Sequence, residues 1–226
     1  MSHNHRAPLR GSHVSRKRSF VIGMSLCCFL SLNIETAKGQ ASRGGRVQKT
    51  TFDHSVPDYP LSDGVKNADA VVVARVVKLV GTRVIDLRPL VRRNDPGVLF
   101  SQPYLGAFTE YDVAPTEILK NYPPFAFRSV FRIATRGGVG RFEDITVDED
   151  TGVPDLLQGH EYLLFLNVSD WIDGMLFDIY GAFDISGTAV NANDLLRRSR
   201  PGKELVGLPA HQALQNVRKM IASLEQ

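Results

Sequence analysis

Residues 70–80 read Ala-Val-Val-Val-Ala-Arg-Val-Val-Lys-Leu-Val, and this run bears most directly on the fold. Valine is stiff at its branched β-carbon and packs well on a pleated surface, so the stretch predicts a strand. It is apolar on both parities, which places it centrally with both faces buried. Arg75 and Lys78 fall on opposite parities, marking a bulge or the point where the strand leaves the core. Residues 162–166, Tyr-Leu-Leu-Phe-Leu, repeat the both-faces pattern and predict a second central strand.

Outward from these two runs the chain reads as short strands and turns. Val84–Leu90 predicts another strand, and Arg92–Gly106, which holds Asn94-Asp-Pro-Gly97, predicts a loop. Phe108–Ala114 alternates, with Thr109, Tyr111 and Val113 on one side and Glu110 and Asp112 on the other, as a half-buried strand does. Pro115 lacks an N–H, so the element must bulge there or lie on an edge before closing at Glu117–Lys120. Ser129–Ala134 predicts a strand broken by Arg136-Gly-Gly-Val-Gly140. A short strand follows at Ile145 and Val147, ended by Asp148-Glu149-Asp150. Met175–Tyr180 and Ala182–Ile185 add two more, or one kinked at Gly181. A basic loop, Arg197 to Lys203, leads to a helix with Ala210, Ala213, Leu214, Val217, Met220, Ile221 and Leu224 at three-to-four spacing. That helix is expected across the open end of the sheet. About seven short strands and one terminal helix predict a mainly β fold, an antiparallel OB-like barrel with a C-terminal amphipathic helix.

The N-terminus has a different character. Arg16, Lys17 and Arg18 precede an apolar segment, Phe20 to Leu32, and then small and polar residues. This order reads as an export signal over residues 1–39, or a membrane anchor if it stays uncleaved. Residues 40–56 read as a flexible segment and 57–226 as one β-barrel domain. The first forty residues hold six basic side chains and one acidic, Glu35. Of the chain's 27 basic and 24 acidic groups, 21 and 23 therefore remain beyond them. The basic pI belongs to the leader and is no nucleic-acid footprint. Both cysteines, Cys27 and Cys28, lie in the leader, so the exported part must hold together without disulfides.

The order of segments resembles the netrin-like, tissue-inhibitor-of-metalloproteinase-like barrels, which have an OB-fold, and especially their small exported bacterial versions. The matching residues are Asn67-Ala-Asp-Ala-Val-Val-Val-Ala-Arg-Val76, Thr109-Glu-Tyr-Asp-Val113 through Ile118-Leu-Lys120, and Arg136-Gly-Gly138. Leu157-Gln-Gly-His-Glu-Tyr-Leu-Leu-Phe-Leu166 and Tyr180-Gly-Ala-Phe-Asp-Ile185 complete them, over roughly residues 60–190. Animal members that inhibit metalloproteinases chelate the target's zinc through an N-terminal cysteine. This chain has no cysteine beyond the leader, so the resemblance implies a binding scaffold without that wedge.

The candidate sites are sparse. His54, His160 and His211 show no metal-ligand spacing and read as surface or turn residues. Asp148, Glu149, Asp150 and Asp155 offer oxygens to calcium, but lack the alternation and central glycine of a dedicated loop. Gly137-Gly138-Val139-Gly140 resembles a phosphate cradle, yet no Lys-Ser/Thr follows, and a tight connection between strands is the better reading. Ser101, Ser129, Ser169 and Ser186 stand with the three histidines as hydrolase ingredients, none in a Gly-x-Ser-x-Gly elbow. Arg197, Arg198, Arg200 and Lys203 read as a solvated loop. Asn167-Val-Ser169 is a glycosylation sequon, and Trp171 is either an exposed anchor or a cover for the barrel. No catalytic, cofactor-binding or metal residue is assigned, and no cofactor is called for. The expectation is an exported, non-enzymatic binding module for a protein, peptide or glycan, with no nucleic-acid partner. Membrane contact is expected only through an uncleaved N-terminus. A hydrolase with an unrecognised site and a loop-based protease inhibitor are the alternatives.

Overall fold

The computed structural model describes residues 46–51, 59–94, 97, 103–122, 125–151, 155–169 and 174–224, all within one compact unit, Asn33–Gln226. The expected leader, His54, Ser101 and Trp171 lie outside the described residues. Among the described residues there is no cysteine, and no helix is long and apolar enough to cross a membrane.

The fold is mainly β, with two sheets and a C-terminal helix. In chain order the elements are β1 (Arg46–Thr51), α1 (Leu61–Asn67), β2 (Ala70–Asp86), α2 (Arg88–Asn94), β3 (Leu105–Asn121), β4 (Phe131–Arg136), β5 (Gly138–Phe142) and β6 (Ile145–Asp150). They continue with β7 (Glu161–Ser169), β8 (Gly174–Asp184), α3 (Asp194–Arg198), α4 (Arg200–Leu205) and α5 (Ala210–Leu224).

The larger sheet has the order β2-β3-β4-β8-β7, and β7 pairs back onto β2, so the pairings run in a ring. Four of the five pairings are antiparallel. The fifth, β4 with β8, is parallel and short, Ile133↔Met175 and Ala134↔Leu176. The expectation of an all-antiparallel arrangement is corrected here: β4 and β8 run in the same direction, and their seam is the shortest of the ring. β2 bends around the ring through register shifts at Val71/Val72, Val73/Ala74, Val76/Lys78 and Leu79/Gly81. The shift at Val76/Lys78 is the bulge that the Arg75/Lys78 parity switch signalled. The shift at Val73/Ala74 skips Thr116 beside Pro115, so the proline does sit at a bulge.

The both-faces pattern has a simple cause. Ala70, Val72, Ala74 and Val76 join Tyr111, Val113, Ile133, Tyr162, Leu164 and Leu166 on the inner side of the ring. The opposite parity, Val71, Val73, Leu163 and Phe165, packs outward under Leu61 and Val65 of α1 and Val217 and Ile221 of α5. One strand thus serves two apolar layers. The terminal helix therefore covers the outer wall of β2 and β7 and not the open end of the sheet, because β7 offers a second apolar face to bury. Its Ala213, Val217 and Ile221 are buried as the spacing predicts, while Leu224 is exposed. Where no helix covers the ring, the outer face carries charge: Asp112 pairs with Lys78 and Arg132, and Glu110 with Arg83 and Arg132.

Several local expectations change. Val84 to Asp86 extends β2 instead of forming a new strand, and residues 88–94 are helical, not strand or loop. The expected break after Arg136 is only Gly137, and Gly138–Phe142 is a strand. The acidic run does not end a strand but forms its second half. The basic stretch 197–203 lies in two short helices. Asn193 caps the first by accepting from Leu196 N (2.6 Å), and Ser199 Oγ caps the second by accepting from Gly202 N (3.0 Å). Residues 46–51, within the expected flexible segment, form β1. The smaller sheet has the order β1-β6-β5, with β1 parallel to β6. It docks through Val147, Phe142 and Ile145 on Leu105, Ala107 and Val84.

Candidate functional site

The strand that leaves the ring at Arg136 enters the small sheet two residues later, and the junction is polar. Gly137 and Gly138 both have positive φ, 120° and 107°, where a side chain is strained. A β-carbon on Gly138 would stand 2.5 Å from Thr109 Oγ1 and 2.8 Å from Thr82 Oγ1, so the backbone passes where only glycine fits. Three hydroxyls then tie the crossing. Thr109 Oγ1 donates to Gly137 O (2.8 Å) and lies 3.1 Å from Thr82 Oγ1, while Thr151 Oγ1 donates to Arg136 O (2.8 Å).

Beside this crossing lies a buried ion pair. Arg136 Nη2 donates to Glu149 Oε1 (3.0 Å), and Ala107 N donates to Glu149 Oε2 (2.8 Å). Glu149 is 2 % exposed. Burial works against the Arg136 cation, but Glu149 and Tyr104 outweigh it and hold the proton more tightly than usual. The pair, Thr109 and Thr151 wall a pocket of about 320 Å³ that Lys49, Thr135, Asp148, Asp150 and Asp155 complete. Asp155 accepts from the buried Tyr111 hydroxyl at 3.0 Å, and burial pushes that phenol upward.

The structure thus gathers the acidic run and Asp155, read together as oxygen donors, with the double glycine, read apart from them as a turn. Among the described residues no group of three His, Asp or Glu can hold a metal ion. Gly137 N already donates to Ala107 O (2.8 Å), and a strand, not a helix, follows, so the turn is no phosphate cradle. Arg136 and its pairing with Glu149 went unnoticed because thirteen residues and a whole strand separate them, with no local spacing to link them.

A second constellation surrounds Asp184. His160 Nδ1 is 2.8 Å from Asp184 Oδ2, and Ser186 N donates to Asp184 Oδ1 (2.9 Å). Burial pushes the Asp184 carboxyl up, but the Ser186 N–H and His160 outweigh it and hold it below the usual range. These residues line a more open depression of about 660 Å³ with Asn191 and Arg197. Two hydrolase ingredients are therefore neighbours, but the Ser186 hydroxyl accepts from Glu161 N (2.6 Å) and donates to Glu161 O (3.4 Å), not to the imidazole. Arg197 Nε donates to Ala192 O (2.8 Å), so it is engaged locally. His211 is exposed on the first turn of α5, Ser129 is exposed ahead of β4, and Asn167 is exposed late in β7.

No model of a known protein family matches this chain, and no curated protein is significantly similar to it.

Proposed function

We propose that the chain is an exported, non-enzymatic binding module built on an OB-type barrel, and that it takes a protein, peptide or glycan at the polar pocket beside the β4–β5 crossing. Support for the barrel comes from the strand order β2-β3-β4-β8-β7-β2 with its one parallel seam, the winding of OB-type barrels. Ligands of that architecture collect on the second and third strands of the ring. Here those are β3 and β4, and they supply Thr109, Thr135 and Arg136 to the pocket. The netrin-like resemblance points the same way, and export rests on the basic-then-apolar N-terminus.

One observation carries the non-enzymatic reading. The buried charges of the pocket are committed to fixed partners, Arg136 to Glu149 and Glu149 also to Ala107 N, which suits a preorganised polar surface. Nucleophilic catalysis needs a base aimed at a nucleophile, and the hydroxyls of Thr109 and Thr151 on the wall donate instead to main-chain carbonyls. The test is a peptide and glycan array probed with the full chain and with Thr135→Val. Binding by the wild type that Thr135→Val weakens about tenfold supports the pocket; equal binding by both moves the site elsewhere.

The hydrolase reading is favoured by the His160–Asp184 contact with Ser186 alongside. It expects ester or peptide turnover that His160→Ala abolishes. Such turnover would replace the binding-module reading.

A further inference from the structure

We propose that the edge of β6 is a strand-addition site for an extended basic segment of a partner protein, and that β1 is the chain's own occupant of it. The six residues of β1 pair in register with β6, Arg46↔Ile145 through Thr51↔Asp150, and β6 is its sole strand neighbour among the described residues. None of its residues belongs to a core cluster. Its one aliphatic side chain, Val47, is 70 % exposed. Parallel ladders are also slightly less stable per residue than antiparallel ones. β1 is thus held chiefly by its main-chain ladder with β6, which any extended chain can supply.

The charge is complementary at the centre of the register. Lys49 stands opposite Asp148, and the exposed Asp150 lies two residues further along β6, while Glu149 between them is turned inward to Arg136. Gln48 and Thr50, half-buried, face Val147 and Glu149. This defines the ligand: an extended segment, parallel to β6, with a lysine or arginine opposite Asp148 and small polar residues on either side. Recognition by strand addition uses the backbone for affinity and alternate side chains for specificity, as here. A bare edge invites unwanted pairing, so an intramolecular occupant that yields to a better ligand also protects the chain. Lys49, Asp148 and Asp150 also line the pocket beside β4, so Thr135→Val, which changes the pocket and leaves the β1–β6 register alone, tells failure of one site from failure of the other.

The test uses the full chain with Cys27→Ser and Cys28→Ser, and with Val47→Cys and Thr146→Cys at a register pair, so that oxidation locks β1 in place. The probe is a fluorescent, end-blocked peptide of residues 46–51, read by anisotropy. The reduced chain should bind it, oxidation should weaken binding at least about tenfold, and a peptide with glutamate for lysine should lose a similar factor. A second variant, Gln48→Pro, removes a ladder N–H and should bind the peptide more tightly than wild type. Equal binding by locked and reduced chains, or no binding by a folded Gln48→Pro chain, would overturn the proposal. So would a reduced chain that dimerises, loses its dimer on locking and ignores the peptide, since that assigns the edge to a second copy.

Discussion

The five-stranded ring and the three-stranded sheet share a chain, and β4 runs almost directly into β5, yet different forces hold them. In the ring, β2 and β7 bury apolar side chains on both parities, one set inward and one beneath helices. In the small sheet the apolar anchor is short, Val147 with Phe142 and Ile145, and the crossing depends on three threonine hydroxyls, two glycines and one buried ion pair. Apolar burial tolerates imprecise geometry and is non-directional. A polar junction is directional, and leaving one partner unpaired is costly. The robust region therefore carries the fold, and the exacting one carries the candidate site.

This contrast can be broken most severely in the ring. Leu164 is fully buried inside it, and Leu164→Ala should destabilise by about 3 kcal/mol through lost transfer energy and a residual cavity. Chemical denaturation measures this as a lower midpoint with an unchanged slope. The polar junction should respond to pairing more than to size. Glu149→Leu removes the carboxylate that faces the Arg136 guanidinium and should cost about 2 kcal/mol, whereas adding Arg136→Met should recover part of that loss. A purely apolar junction would give additive losses in the same denaturation series.

Acid sharpens the comparison from another side. A side-chain hydrogen bond from Arg132 holds Asp112 below the usual carboxylate range, and Arg88 does the same for Asp86. Both titrate lower folded than unfolded, so their stabilisation is complete above about pH 4 and is lost as pH falls through the folded values. Thermal melts should show stability falling below about pH 4, less steeply in Asp112→Asn. The smallest effect belongs to the surface pair that joins α5 to β3, Arg218 with Glu117 at 2.7 Å. Both side chains are well exposed, so Arg218→Ala should shift stability by no more than about 0.5 kcal/mol, and added salt should erase the difference.

The same contrast explains how much was legible in the sequence. Residues 70–76 and 162–166 announced central strands because double-sided apolarity leaves few other arrangements, whereas Val77, Leu79 and Val80, at and beyond the bulge, are exposed against expectation; Glu110 and Asp112 alternate outward as read. The helix at 210–224 was equally plain in its spacing. The small sheet was not. Gly138–Phe142 holds two glycines and reads as a turn, and its strand exists because β6 pairs with it. Asp148–Asp150 reads as a solvated run, yet strand alternation turns Glu149 inward while its neighbours face out. The partner that makes this tolerable, Arg136, lies in another element. Likewise His160 and Ser186 meet at Asp184 only because β7 and β8 pair there, Tyr162↔Asp184. Long-range polar pairing leaves no periodic trace, whereas apolar layering does.

The central claim, that apolar layering holds the ring and polar contacts hold the small sheet, is tested most directly by residue-resolved hydrogen exchange at low and high salt. The amides of β1 and β6 should exchange through a local opening that salt accelerates, while those of β2 and β7 exchange only with global unfolding and ignore salt. Equal protection across both sheets, unmoved by ionic strength, would contradict the account.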